Sequence, residues 1–115
     1  MAIYIKTSNP QGLLNDIKKS IENKVIRNWS KDEEGDITLA FQWNNKAWFK
    51  PFLREDTLIF GLIGRKDEPM TKLIYGIYHG RFSEMLLTQF DSNIEEIQLT
   101  PNGIDGIDHF NNDYN

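Results

Sequence analysis

Three polar side chains that could do chemistry stand four residues apart in the segment Met70–Phe90: Tyr75, His79 and Ser83. A helix would place them on one face, where an imidazole between two hydroxyls could act as a general acid or base. Because no catalytic partner is specified, we expect His79 to be partly exposed and to hydrogen-bond a neighbour. We assign no catalytic residue, and we predict Tyr75, His79 and the nearby Arg81 as partner- or ligand-binding residues.

A second group of candidates combines aromatic and basic side chains. Trp48 and Lys50 belong to it, and both are predicted binding residues. Aromatic side chains beside Lys or Arg are typical of protein-binding surfaces, and they also stack the bases of single-stranded nucleic acid. Alternatively, these aromatic residues form the core and the basic side chains surround its rim. The aromatic residues between positions 29 and 60 are Trp29, Phe41, Trp43, Trp48, Phe49, Phe52 and Phe60.

Metal and cofactor sites find no support in the sequence. The acidic run at 32–36 and the pair Glu95 and Glu96 are expected to be solvated. The two histidines, at 79 and 109, lack the spacing of a zinc site. The segment GLIGRK at 61–66 does not match a phosphate-binding loop. We therefore predict no metal and no cofactor, and no motif supports an enzyme.

Length and composition favour one soluble domain. The 115 residues suffice for a single core, and the absence of cysteine excludes disulfide scaffolds and thiolate chemistry. The start, MAIYIK, does not resemble a secretory signal, and no apolar run is long enough to span a bilayer. We expect a cytoplasmic protein without a membrane segment.

The net charge of −4 is unevenly distributed. Residues 102–115 carry three aspartates and no Lys or Arg, so the remaining chain is nearly balanced at −1. Without a basic field, nucleic-acid binding is disfavoured. We predict a single α+β domain over residues 1–101 and a mobile, acidic, Asn- and Asp-rich tail over residues 102–115.

Hydrophobic periodicity predicts the elements that position these residues. Asn9 and Pro10 mark a helix start, and Pro51 indicates an edge strand or a bulge. The most apolar strand, 57–64, is placed centrally. The predicted elements are a strand at 2–6, a helix from 10 to about 23, strands at 25–30, 36–43, 46–54 and 57–64, a helix at 70–90 and a short last strand at 94–100.

The long helix is the element around which the fold is predicted to be organised. Its apolar residues cover most of the circumference, which predicts burial on more than one side. Gly76 and Gly80 stand four apart, and we expect a neighbouring backbone, that of the sheet, to pack closely against them. The predicted fold is two-layer α+β, a mostly antiparallel sheet of about five strands packed by two helices in the order β-α-β-β-β-β-α.

Three segments, NPQGLL, NNKAWFKP and YGIYHGRFSEMLL, resemble those of small uncharacterised bacterial proteins known only as a hypothetical family. The resemblance covers most of the chain. It implies a bacterial, cytoplasmic protein, and it implies no activity and no site residues.

Three functional hypotheses follow. The first is a non-enzymatic protein-binding module, immunity- or antitoxin-like, with a flat exposed patch. The second is a small-molecule-binding or catalytic domain with a deep cleft at His79. The third is single-stranded nucleic-acid binding, which requires basic side chains to converge on the sheet. Homodimerisation through a sheet edge is compatible with all three. The basic side chains in question are Arg27, Lys46, Lys50 and Arg54.

Overall fold

The computed structural model describes residues 2–109, a two-layer α+β fold with two helices on one face of an antiparallel sheet. The elements are β1 (Ala2–Lys6), α1 (Pro10–Glu22), β2 (Trp29–Lys31), β3 (Ile37–Leu39), β4 (Ala47–Leu53), β5 (Thr57–Gly64), α2 (Lys72–Gln89) and β6 (Glu96–Leu99). Within the described residues the six strands of the sheet lie in the order β2-β3-β4-β5-β1-β6. The predicted fold class is confirmed, with six strands instead of about five.

Strand β5 is central, as its apolar sequence predicts. It pairs with β4 on one side and with β1 on the other. Leu58, Phe60 and Leu62 are fully buried in the core beneath the helices, whereas Ile59 belongs to a smaller cluster on the other face. Both faces of β5 are therefore covered, and by different parts of the chain.

Helix α1 begins as the sequence predicts. Asn9 is its N-cap, and the side-chain oxygen of Asn9 accepts the Gly12 N–H at 3.0 Å. Pro10 occupies the first turn, where its missing N–H leaves no hydrogen bond unmade. The apolar stripe that faces the sheet consists of Leu13, Leu14, Ile17 and Ile21.

Helix α2 begins two residues later than predicted, because Thr71 caps it by accepting the Ile74 N–H at 3.1 Å. The prediction that it is buried on more than one side is wrong. Leu73 and Leu87 are 63% and 58% exposed. The predicted close packing at Gly76 and Gly80 is also wrong, since a Cβ on either residue would meet nothing within 4 Å. The buried face comprises Tyr75, Tyr78, His79, Phe82, Met85 and Leu86.

Aromatic rings join α2 to the sheet. The Phe82 ring lies with its centroid 4.6 Å from that of Phe49, 4.8 Å from Phe60 and 5.0 Å from Trp29. Such contacts stabilise a core beyond the burial of their area. Three of the seven aromatic residues noted in the sequence, Trp29, Phe49 and Phe60, are thus core residues.

The strands predicted at 25–30 and 36–43 are shorter in the structure. Phe41 has φ = +65°, and this left-handed residue ends the extended chain in a short 3₁₀ turn. The hydroxyl of Tyr78 fixes the following connection by donating to Trp43 O at 2.5 Å and accepting the Lys46 N–H at 3.3 Å. Tertiary contacts therefore override the alternating pattern. Asn45 has φ = +55°, as expected for a turn.

Pro51 sits where β4 lacks a neighbour on one side. Strand β3 pairs with β4 only at Ile37 and Phe49, so the chain beyond Phe49 faces no β3 residue. A proline there costs no ladder hydrogen bond on that side. The predicted edge position of this strand is wrong, because β4 lies between β3 and β5. Pro51 is tolerated inside the sheet because its end of β4 is unpaired on the β3 side.

Candidate binding face

The side chains of β4 alternate between the two faces of the sheet. Phe49 points into the core, so Trp48, Lys50 and Phe52 point away from both helices. Trp48 and Phe52 are half-buried and Lys50 is exposed, with its Nζ 6.0 Å from the centre of the Phe52 ring. We call the surface formed by Trp48, Lys50 and Phe52 the β4 face.

The chain after β6 covers the neighbouring part of this side of the sheet. Ile107 is buried with Ala2 and Ile59, and Ile104 packs against the same cluster. We call residues 104–109 the terminal segment. Because it lies over β1 and β5, it leaves Trp48 and Lys50 outside the cluster that it forms.

Hydrogen bonds to β5 hold the terminal segment in place. The Asp108 carboxylate accepts the N–H of Leu62 at 2.7 Å and the N–H of Ile104 at 2.8 Å. The His109 N–H donates to Leu62 O at 2.9 Å, and Gly64 N–H donates to His109 O at 2.8 Å. Residues 102–109 of the predicted tail thus include a segment bonded to the sheet, and residues 110–115 lie outside the described residues. The predicted boundary between the domain and the tail, at residue 101, stays a prediction.

A shallow cavity of about 730 Å³ lies beside Trp48. The turn between β2 and β3 forms one wall, and the segment after β5 forms the other. We call it the Trp48 cavity. The cavity is open to solvent. It is therefore better suited to accept a protruding side chain of a partner than to enclose a small ligand. The lining residues are Asp32, Glu33, Glu34, Asp36, Asn45, Trp48, Ile63, Gly64, Arg65, Lys66 and Asp67.

Charges give the two walls different properties. Burial raises the pKa of Asp36, and the negative charge of Asp32 adds to this effect while Lys50 opposes it. On the other wall, the Arg65 guanidinium donates to both Asp67 oxygens, at 2.7 and 2.8 Å. This pair lowers the pKa of Asp67 to about 2. One wall is therefore acidic, and the other is fixed by an ion pair.

The predicted site residues on α2 lie in the core. His79 is 2% exposed and Tyr75 is 3% exposed, so the expectation of a partly exposed histidine is wrong. Nδ1 of His79 lies 2.7 Å from Tyr75 O, and because a carbonyl only accepts, Nδ1 donates. The His79 ring packs on Phe49 at 5.2 Å and on Tyr75 at 4.3 Å between centroids. Neither Tyr75 nor His79 lines the Trp48 cavity.

The five predicted binding residues therefore fall into three places. Trp48 and Lys50 lie together on the β4 face, Tyr75 and His79 lie together in the core, and Arg81 lines a separate cavity of about 300 Å³ with Arg27. Their binding roles stay predictions. Phe52 and Asp36 extend the first group but were not predicted as site residues. The alternation in AWFKPFL already places Phe52 with Trp48.

No protein-family model, curated protein or solved structure matches the chain. Among residues 2–109, His, Asp and Glu side chains do not gather in groups of three or more that could hold a metal ion. Neither helix in this part of the chain has the length and apolar character needed to cross a bilayer.

Proposed function

We propose that this protein is a non-enzymatic protein-binding module whose binding surface is the β4 face. The observation that carries the proposal is the position of Trp48, Lys50 and Phe52. They occupy alternate positions of one strand, on the side of the sheet that neither helix covers. Aromatic residues are enriched in the cores of protein interfaces, and Trp is among the residue types that most often dominate binding energy.

The adjoining Trp48 cavity favours a protein partner of particular chemistry. Its floor is apolar at Trp48 and Ile63, and its acidic wall includes Asp32 and Asp36. A partner that inserts an apolar or cationic side chain there, and offers a carboxylate to Lys50, would match this surface. Immunity- or antitoxin-like activity is a narrower form of the same proposal, and a bacterial origin and cytoplasmic location belong with it.

The other two hypotheses receive less support from the geometry. A cleft at His79 would have to open the core between α2 and Phe49. For nucleic-acid binding, Arg27 lies beside α2, whereas Lys50 lies on the opposite side of the sheet. These positions separate the basic side chains that a phosphate backbone would need together.

Affinity capture from lysate of the native host tests the proposal. Tagged wild-type protein should retain one partner in stoichiometric amount, and Lys50→Glu and Phe52→Ala should each reduce its recovery at least about tenfold, as expected for loss of a residue worth over 1.4 kcal/mol. Leu87→Ala is the matched control, because Leu87 is an exposed apolar residue on α2. Melting temperatures establish that the variants fold. Equal recovery with wild type, Lys50→Glu and Phe52→Ala would refute the assignment of the β4 face.

A further inference from the structure

Asp36 is a buried acidic residue in the lining of the Trp48 cavity. It is 7% exposed and belongs to the acidic wall. The Asp36 N–H donates to the Asp32 carboxylate, and Asp36 O accepts the Asp32 N–H, each at 2.9 Å. Within residues 2–109, however, the Asp36 carboxylate accepts no hydrogen bond and forms no ion pair. A buried charged group without a partner is costly and rare in native structures.

Asp36 and Trp48 lie on the same face of the sheet. Ile37 pairs with Phe49, and both are buried beneath the helices. The side chains of their chain neighbours therefore point to the other face. In an antiparallel pair this register places Asp36 opposite Lys50 and diagonal to Trp48, a separation that one bound side chain can bridge.

The charges around Asp36 do not remove the cost of burying it. Burial raises the pKa of Asp36, and the negative charges of Asp32 and Glu34 raise it further. Lys50 and Lys18 lower this pKa, but neither forms an ion pair with Asp36. The net effect is a raised pKa, so the charged carboxylate reduces the stability of the free protein. Residues that reduce stability in this way are typical of binding sites, where a ligand offsets the cost.

The Trp48 cavity as a whole attracts a cation. Five carboxylates and two cationic side chains line it, so the lining carries a net charge of −3. One of the two cations, Arg65, is already paired with Asp67. Within residues 2–109 the carboxylates do not gather into a group that could hold a metal ion. The Trp48 ring adds an aromatic surface, which attracts organic cations. The lining therefore matches an organic cation better than a metal ion or an apolar side chain.

We propose that the Trp48 cavity receives an arginine side chain of the protein partner, whose guanidinium stacks on Trp48 and donates hydrogen bonds to Asp36. This proposal rests on the function proposed above, because it specifies what the partner inserts beside the β4 face. A guanidinium is planar, stacks on aromatic faces and is more weakly hydrated than the ammonium of lysine, so it is the better cation for a half-buried site. Its parallel N–H groups also match the two oxygens of a carboxylate.

Arginine analogues test the site on purified protein without the partner. N-acetyl-arginine amide should shift the NMR signals of the Ile63 and Gly64 amides, which line the cavity, and the shifts should saturate. Asp36→Asn should raise the Kd of this analogue at least about tenfold, because it removes the charge that the guanidinium pairs with. Trp48→Leu should raise the Kd about threefold or more, because it removes the aromatic surface.

A neutral ligand and a distant variant are the controls. N-acetyl-citrulline amide has nearly the shape of the arginine analogue but no charge, and it should not bind. Glu55→Gln removes one exposed negative charge outside the cavity and should leave the Kd unchanged. The proposal would be overturned by the absence of saturable binding, by equal affinity for the citrulline analogue or for N-acetyl-lysine amide, or by an unchanged Kd in Asp36→Asn.

Capture of the partner separates this proposal from the one on which it rests. Asp36→Asn should lower recovery of the partner from native-host lysate at least about tenfold, as Lys50→Glu does. Melting temperatures show that both variants are folded. A partner that is lost with Lys50→Glu but retained by Asp36→Asn would overturn the arginine site and leave the β4 face in place. Equal recovery with wild type and both variants would refute the β4 face as well.

Discussion

The carbonyl oxygen of Ile107 occupies the space in which a side chain at Gly61 would begin. Gly61 lies in the middle of the central strand, where a glycine weakens the strand unless another backbone approaches closely. The approaching backbone belongs to the terminal segment. This contact explains why an otherwise apolar strand contains a glycine, and it fixes where the chain crosses the second face of the sheet.

Gly61→Ala should destabilise the protein. The new methyl group would overlap backbone atoms of Ile107, which cannot move aside as the end of a flexible side chain could. Overpacking of this kind typically costs about 1–3 kcal/mol. Thermal and denaturant unfolding measure the loss, and hydrogen exchange should show reduced protection of Leu62 and His109. Unchanged unfolding and unchanged protection would show that the terminal segment does not lie on Gly61.

Gly76→Ala and Gly80→Ala should have the opposite effect. Both residues are exposed inside α2, and an added Cβ would meet nothing within 4 Å. Because alanine favours a helix interior by about 1 kcal/mol over glycine, each variant should be more stable by roughly that amount. Denaturant titration gives the difference. A loss of stability in either variant would instead support the close backbone contact that the sequence predicted.

His79→Ala should be strongly destabilising. The substitution removes a buried ring that contacts Phe49 and Tyr75, and it leaves a cavity between α2 and the sheet. Truncation of a large buried side chain typically costs about 2–5 kcal/mol. Arg81→Ala, on the exposed side of the same helix, is the control and should change stability by less than about 0.5 kcal/mol. If the two variants have the same melting temperature, His79 is not a core residue.

Asp36→Asn should stabilise the protein at neutral pH. Because the folded pKa of Asp36 is raised, the folded state disfavours its charge, and stability falls as the pH rises from the unfolded pKa through the folded one. The neutral asparagine lacks this penalty. The gain over wild type should shrink as the pH falls below about 4, where the carboxyl is protonated in both states. Unfolding titrations between pH 3 and 7 measure the gain, with exposed Glu33→Gln as the control. A gain that does not vary with pH would contradict the assignment.

Much of the fold can be read from local sequence patterns. The cap at Asn9 and Pro10, the central strand at 57–64 and the alternation of Trp48 and Phe49 each depend on residues close in the chain. The errors occur where distant residues decide. Strand β3 ends early because the backbone at Phe41 has a left-handed conformation, and because Tyr78, from α2, holds the following connection by a hydrogen bond.

In the candidate site, too, local patterns predict some features and contacts between distant residues decide the others. Alternation in β4 is enough to group Trp48 with Lys50 and Phe52. Burial of His79 could not be predicted, because its apolar neighbours include Phe49, which comes from another element. Likewise, no local pattern reveals that Ile107 returns to Gly61. The exposed glycines of α2 misled the prediction because close packing and a solvent-facing helix surface leave the same sequence signal.

Site-specific photo-crosslinking along β4 tests the central claim most directly. A photoreactive phenylalanine analogue would replace Lys50 or Phe52 on the β4 face, with Leu87 on α2 as the control position. We expect one crosslinked partner from positions 50 and 52 and none from position 87 in native-host lysate. Crosslinks from position 87 alone, or equal crosslinking from all three positions, would contradict the assignment of the β4 face as the binding surface.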